Sequence, residues 1–136
     1  MPGERDLPAL LRTMRPELQA GVFVFCVLPN DTETSPSLSP LFSFREKEGT
    51  TWVVRREEAE RAGLSCQFAS RLITLAVHSA LDAVGFLAAV TTRLAEAGIS
   101  VNAVSAFHHD HLFVPEHRAD EALQLLLEMS RGQASG

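Results

Sequence analysis

The chain of 136 residues lacks the short motifs that announce a reaction. It has no glycine-rich loop to cradle phosphates, no Cys-x-x-Cys pair and no His-Glu-x-x-His. It lacks an excess of positive charge. The formal net charge is −5, divided as −2 over residues 1–70 and −3 over residues 71–136. Neither part offers the basic footprint that nucleic acid requires, and Arg55-Arg56 is neutralised at once by Glu57-Glu58. It lacks a long apolar run. The longest, about residues 21 to 29, falls well short of the roughly 20 residues that cross a bilayer as a helix. No apolar segment of signal-peptide type follows the first six residues, so no leader is expected. Cysteine is scarce. Cys26 and Cys66 both lie in apolar, strand-like stretches, and they are expected as buried free thiols in a reducing, cytoplasmic setting. What remains is a hydrophobic content of 46%, ample for a core, in a chain sized for one compact domain or two joined small halves.

Residues 71 to 117 carry most of the information. Residues 72 to 79 are rich in Leu, Ile, Val and Thr and suit a pleated, largely buried strand. Asp82 is positioned to cap a following helix, because its carboxylate can accept orphan N–H groups of the first turn. Leu87, Val90, Leu94 and Ala97 fall on one face of that helix, and Gly98 ends it. Ile99, Val101, Ala103 and Phe107 alternate along a second strand, with Ser105 the exception on that face. A hairpin turn is expected at His109-Asp110. Leu112 and Val114 continue beyond it, and Pro115 ends the ladder. Ala119, Leu123 and Leu126, with Ala122 and Met129 beside them, predict a second amphipathic helix. The order β-α-β-β-α is the ferredoxin-like βαββαβ order lacking only its last strand.

The first half has similar parts. Asp6 is a candidate cap for a short helix with Leu7, Leu10, Leu11 and Met14 on its face, stopped before Pro16. Residues 22 to 28 form a continuous apolar run of strand length. Residues 29 to 40 read as a polar surface loop. Residues 42 to 47 and 51 to 55 flank Glu48-Gly49-Thr50 as a hairpin. A short charged helix over residues 57 to 62 stops at Gly63. Cys66, Phe68 and Ser70 then lead into the Leu72 strand without a break.

At this point the sequence resembles the ACT domain, the amino-acid-sensing module attached to many enzymes of amino-acid metabolism. The resemblance rests on the Leu-x-Val-x-Ser strand, the Asp82-Ala83-Val84-Gly85 loop and the Leu94-Ala95-Glu96-Ala97-Gly98-Ile99-Ser100 junction. Asp110-His111 followed by Val114-Pro115-Glu116 adds to it. The whole chain is similar to small bacterial proteins built from two ACT-like halves, here residues 1–70 and 71–136. The resemblance implies an α+β, ferredoxin-like fold with antiparallel sheets and a stand-alone amino-acid-binding regulatory role without catalysis. It also implies a ligand site where ACT units meet, with strands often paired side by side, hence a homodimer or higher homo-oligomer. Asp110 matches the acidic hairpin position of the tandem-ACT cytosolic arginine sensors of animals, which makes a basic amino acid a candidate ligand. No cofactor, nucleic acid or membrane partner is expected.

The chemistry of the loop supports a ligand. A strand that runs into a helix start presents free N–H groups, a positive dipole end and little bulk at Gly85, which suits an α-carboxylate. Asn102 and Asp110 are placed to meet the amino group. The expected site is Ser79, Leu81, Asp82, Ala83, Val84, Gly85, Phe86, Asn102, Asp110 and His111. Simple helix–sheet contact at Gly85 and a solvent-facing edge role for Asn102 are the competing structural explanations. Two further readings stand beside this one. One is a ligand-free protein–protein adaptor. The other is a metal-dependent enzyme, since four of five histidines (His108, His109, His111, His117) fall within ten residues around Asp110. Against it, His108 and His109 point to opposite faces of a regular strand. A Ser-His-Asp relay from Ser79, His78 and Asp82 is disfavoured because adjacent strand residues diverge.

Overall fold

A computed structural model describes residues 3–32 and 38–134 of the chain. In chain order the elements are α1 (Leu7–Thr13), β1 (Arg15–Leu18), β2 (Phe23–Leu28), β3 (Phe42–Arg45), β4 (Thr50–Arg55) and α2 (Arg56–Ala62). They continue with β5 (Cys66–Ala76), α3 (Phe86–Glu96), β6 (Asn102–Ser105), β7 (Asp110–Pro115), a 3-10 turn (Glu116–Arg118) and α4 (Ala119–Ala134). By packing, Met1–Gln19 and Arg71–Gly136 form one compact unit and Ala20–Ser70 a second. This division differs from the sequence halves, which follow chain order: the second unit is inserted between the two pieces of the first.

In the first unit the strand order is β1-β5-β7-β6. That is the ferredoxin-like order, and its fourth strand comes from the N-terminus. Arg15–Leu18 pairs antiparallel with β5, Arg15 opposite Ala76 and Leu18 opposite Ile73. The sequence shows no strand there, because Arg-Pro-Glu-Leu is only four residues long, has no β-branched residue and contains a proline. Pro16 is tolerated because an edge strand does not need every N–H. The helices cover one face of this sheet. Ile73 and Leu75 of β5 and Leu112 and Val114 of β7 meet Leu10 of α1, Val90 and Leu94 of α3 and Leu126 of α4, all fully buried. Each such side chain contributes about 1.5–3 kcal/mol relative to exposure. Asp6 caps α1 as expected, accepting from the Ala9 N–H at 3.1 Å. The Ser130 hydroxyl ties α4 to the end of α1 by donating to the Arg12 and Met14 carbonyls.

The β6–β7 hairpin corrects one expectation. Its turn is residues 106–109, closed by the Ala106 N–H donating to the His109 carbonyl at 3.0 Å. Asp110 is therefore not a turn residue. It opens β7 directly opposite Ser105 and is 7% exposed. Phe107, expected on the apolar face, is instead in the turn and 67% exposed.

In the second unit the order is β3-β4-β2-β5, again the ferredoxin-like order. Among the described residues no helix lies between β2 and β3, where that fold places its first one. Helix α2 contributes Ala59 to a small core with Val24, Trp52, Val54 and Leu38. The expectation of free thiols is overturned. Cys26 and Cys66 face each other across the β2–β5 pair, with Cα atoms 4.6 Å apart, and form a disulfide. The apolar setting of each cysteine was visible in the sequence. That they share one rung, 40 residues apart, was not. The thiol argument for a cytoplasmic location falls with it.

Because the bond closes a loop of this length, its loss is expected to lower stability by about 2–4 kcal/mol. Denaturant unfolding of the oxidised chain against the Cys26→Ala/Cys66→Ala variant measures this. Coincident transitions would show that the bond contributes nothing.

Candidate functional site

The site expected from the sequence lies wholly in the first unit, where β5 gives way to α3. Helix α3 starts without a side-chain cap. Gly85 takes that position at φ 92°, a left-handed conformation that costs residues with a Cβ, and Ala89 donates to its carbonyl at 2.9 Å. Asp82 is not the cap. Its two oxygens bind the Nε and Nη2 of Arg5 at 3.0 and 3.1 Å. This pairing lowers the Asp82 pKa and raises that of Arg5. The correction has a simple cause: an arginine 77 residues away in sequence offers a bidentate partner that the helix start does not.

Behind the loop lies a cavity of about 60 Å³. Asp110 forms its polar end. One carboxylate oxygen accepts from the Ser105 hydroxyl at 2.5 Å and the other from the Ser79 hydroxyl at 3.3 Å. Among the described residues no arginine or lysine pairs with it. A carboxylate offers about four acceptor positions, so two remain beyond the serines. Phe86 and Leu87, the first residues of α3, line the same cavity with Ala83 and Leu81.

The structure thus brings together Ser79, Leu81, Ala83, Phe86 and Asp110 of the expected set. Val84, 84% exposed, points to solvent. Asn102 lies exposed on the edge strand β6, outside the cavity. His111 follows Asp110 along β7, so its side chain takes the other face, where its Nδ1 meets the Thr74 hydroxyl at 3.1 Å. Sequence reasoning passed over Ser105. Its signal was present, a lone polar residue on an otherwise apolar strand face. Arg5 had no local signal at all.

The histidines do not converge. The His78 and His108 ring centres are 5.6 Å apart, those of His108 and His109 6.3 Å, and His109 Nδ1 approaches the Val77 carbonyl at 3.3 Å. Among the described residues no group of three or more His, Cys, Asp or Glu side chains is placed to hold a metal ion. Ser79 bonds to Asp110 and Asp82 to Arg5, so no Ser-His-Asp relay forms either.

These features belong to a module of two ferredoxin-like units with a small polar cavity at a strand-to-helix loop. Profiles of the ACT domain family match residues 2–71 and 67–128. The chain belongs to the ACT domain family. It is similar, at 47% identity and a TM-score of 0.83, to a protein of unknown function from Vibrio cholerae described as a possible transport protein, over 91% of this chain and 95% of that one. A protein from Agrobacterium tumefaciens aligns at 17% identity and a TM-score of 0.71, over 86% of this chain and 89% of that one. The ligand-free regulatory subunit of aspartate kinase from Thermus thermophilus shares the fold at 10% identity and a TM-score of 0.65, over 88% and 97% of the two chains. Among curated proteins none matches the chain. No helix among the described residues is long and apolar enough to cross a membrane.

Burial and the neighbouring His109 hold the His111 pKa below the ordinary 6.5, with Asp110 opposing. The folded state resists protonation here, and the unfolded chain takes the proton first. Stability is therefore full above about pH 6.5 and falls as pH drops below it, until the folded imidazole also titrates. The Tm is expected to decline as pH falls from about 6.5 to about 5.5 more steeply for the wild type than for His111→Gln. Equal slopes in thermal melts would remove His111 as the cause.

Proposed function

We propose that the chain is an amino-acid-binding regulatory protein of the ACT type rather than an enzyme. The observation that carries this reading is the Asp110 carboxylate. It is buried with two hydroxyl donors and has acceptor positions to spare, which an ammonium group in the cavity would fill with charge-assisted hydrogen bonds. The uncapped start of α3 lies beside it, and its free N–H groups suit the carboxylate of the same molecule. A zwitterion is the chemical class that matches both ends. A basic amino acid is one candidate. The fold shared with an aspartate kinase regulatory subunit supports a regulatory role.

We further propose that copies associate along β6. This edge, Asn102–Ser105, carries neither proline nor charge, whereas the opposite edge β1 is blunted by Pro16 between Arg15 and Glu17. Such pairing would put the edge that bears Asn102 at the junction of two units, where ACT ligands are held.

A thermal-shift screen of the twenty amino acids tests the reading. A ligand at about 100 times its Kd is expected to add about 2.7 kcal/mol. Asp110→Asn is expected to weaken that ligand by tenfold to a hundredfold, as loss of a charge-assisted bond of about 1.5–3 kcal/mol implies. A flat screen at millimolar concentration would favour the adaptor reading instead. Unchanged affinity in the Asn variant would remove Asp110 from the contacts.

A further inference from the structure

We propose that residues 3–5 form a latch on the loop that walls the Asp110 cavity, and that a ligand enters only as this latch yields. The inference rests on the amino-acid-binding reading and uses contacts that reading does not need.

The latch is built from three kinds of contact. Glu4 pairs in parallel with Ser79: its N–H donates to the His78 carbonyl at 2.9 Å, and the Ala80 N–H donates to its carbonyl at 2.9 Å. Arg5 grips Asp82 with two hydrogen bonds. Gly3 lies so close that a Cβ there would stand 2.6 Å from the Ala80 nitrogen and 2.7 Å from the Ser79 carbonyl carbon. Backbone presses on backbone at this point, and only glycine permits it.

What the latch holds is a partition. Ser79, Ala80 and Leu81 line the inner cavity with Asp110 and also line an outer pocket of about 150 Å³ edged by Gly3, Arg5 and Phe107. The inner space, about 60 Å³, is far below the roughly 300–1,000 Å³ typical of ligand sites. Merging the two spaces across the partition makes room at Asp110, and that displacement breaks the contacts of Glu4 and Arg5. The weakest of these is the ion pair, whose side chains are 58% and 70% exposed and open to screening by salt. Arg5 and Gly3 are thus positioning residues for the loop, not ligand contacts.

Amide exchange of the ligand-free protein followed by NMR tests the latch without any ligand. Arg5→Ala is expected to speed exchange of the Ala80 amide about twofold to fivefold, in keeping with an exposed pair. Gly3→Val, which forces the whole segment off, is expected to speed it about tenfold or more, because the backbone bonds go as well. The swap Arg5→Asp/Asp82→Arg should return the rate toward wild type. At about 1 M salt the wild type should approach Arg5→Ala, a convergence that a merely structural role would not produce. Thermal melts establish that each variant is folded, and Arg5→Ala decides the matter if Gly3→Val is not. Stopped-flow association of L-arginine and L-lysine should accelerate by the same factors. Unchanged exchange overturns the latch. Faster exchange with unchanged association overturns the gating. Binding of neither amino acid by any variant overturns the basic-amino-acid reading and the gating of such a ligand, while the exchange rates judge the latch separately.

Discussion

The antiparallel pairing of β1 with β5 is the contact on which the first unit depends. It sets Leu18 opposite Ile73, residues far apart in the chain, and so closes a long loop before any packing follows. Closure of that kind costs entropy that grows only slowly with loop length. Here it is offset by what the pairing brings along. Helix α1 arrives with Leu10 and Leu11 for the core, and Ser130 of α4 fastens to its end. Leu7, the first residue of α1, comes to 3.6 Å from where a Cβ on Gly85 would stand, so the same helix braces the start of α3. The residues before α1 then lie across the 78–82 segment. Without β1 the sheet lacks its fourth strand, α1 has no place, and Arg5 never meets Asp82.

The site is the product of two alignments. Hairpin register sets Ser105 opposite Asp110, and the end of β5 brings in Ser79 from the other side. Two hydroxyls hold the Asp110 carboxylate out of water. Burial of a polar group is offset only by the hydrogen bonds it keeps, and the two serines supply them. On the amino-acid-binding reading proposed above, a cationic partner completes the arrangement. Asp110 has no such structural partner among the described residues. Asp82, a few residues along the opposing loop, has one and is spent on tying down the backbone.

Much of the fold was legible in the sequence. The face of α3, the cap at Asp6, the two hairpins and the ferredoxin-like order of residues 71 to 130 all follow from patterns confined to a few neighbours. The family resemblance followed from the same local signals. Several features were not legible, and each involves partners distant in sequence. Arg15–Leu18 carries no strand signature of its own and becomes a strand because β5 offers it an edge. Asp110 reads as a turn former until pairing with Ser105 shows that the turn has ended before it. Asp82 reads as a cap until Arg5 claims it, and two cysteines read as separate thiols until β2 and β5 set them on one rung.

The amino-acid sequence by itself therefore determined most of the helices and strands (though not β1), the class of the fold and the loop around which the candidate site is built. Periodicity and capping act over three or four residues, so one stretch of chain contains the whole cause. Only the tertiary structure decided which strand completes the first unit, which carboxylate faces the cavity and which is held by an arginine, and that the cysteines are joined. Those outcomes are choices among partners separated by tens of residues. They are settled by which pairings can be met together once the sheets close, and no local pattern encodes that.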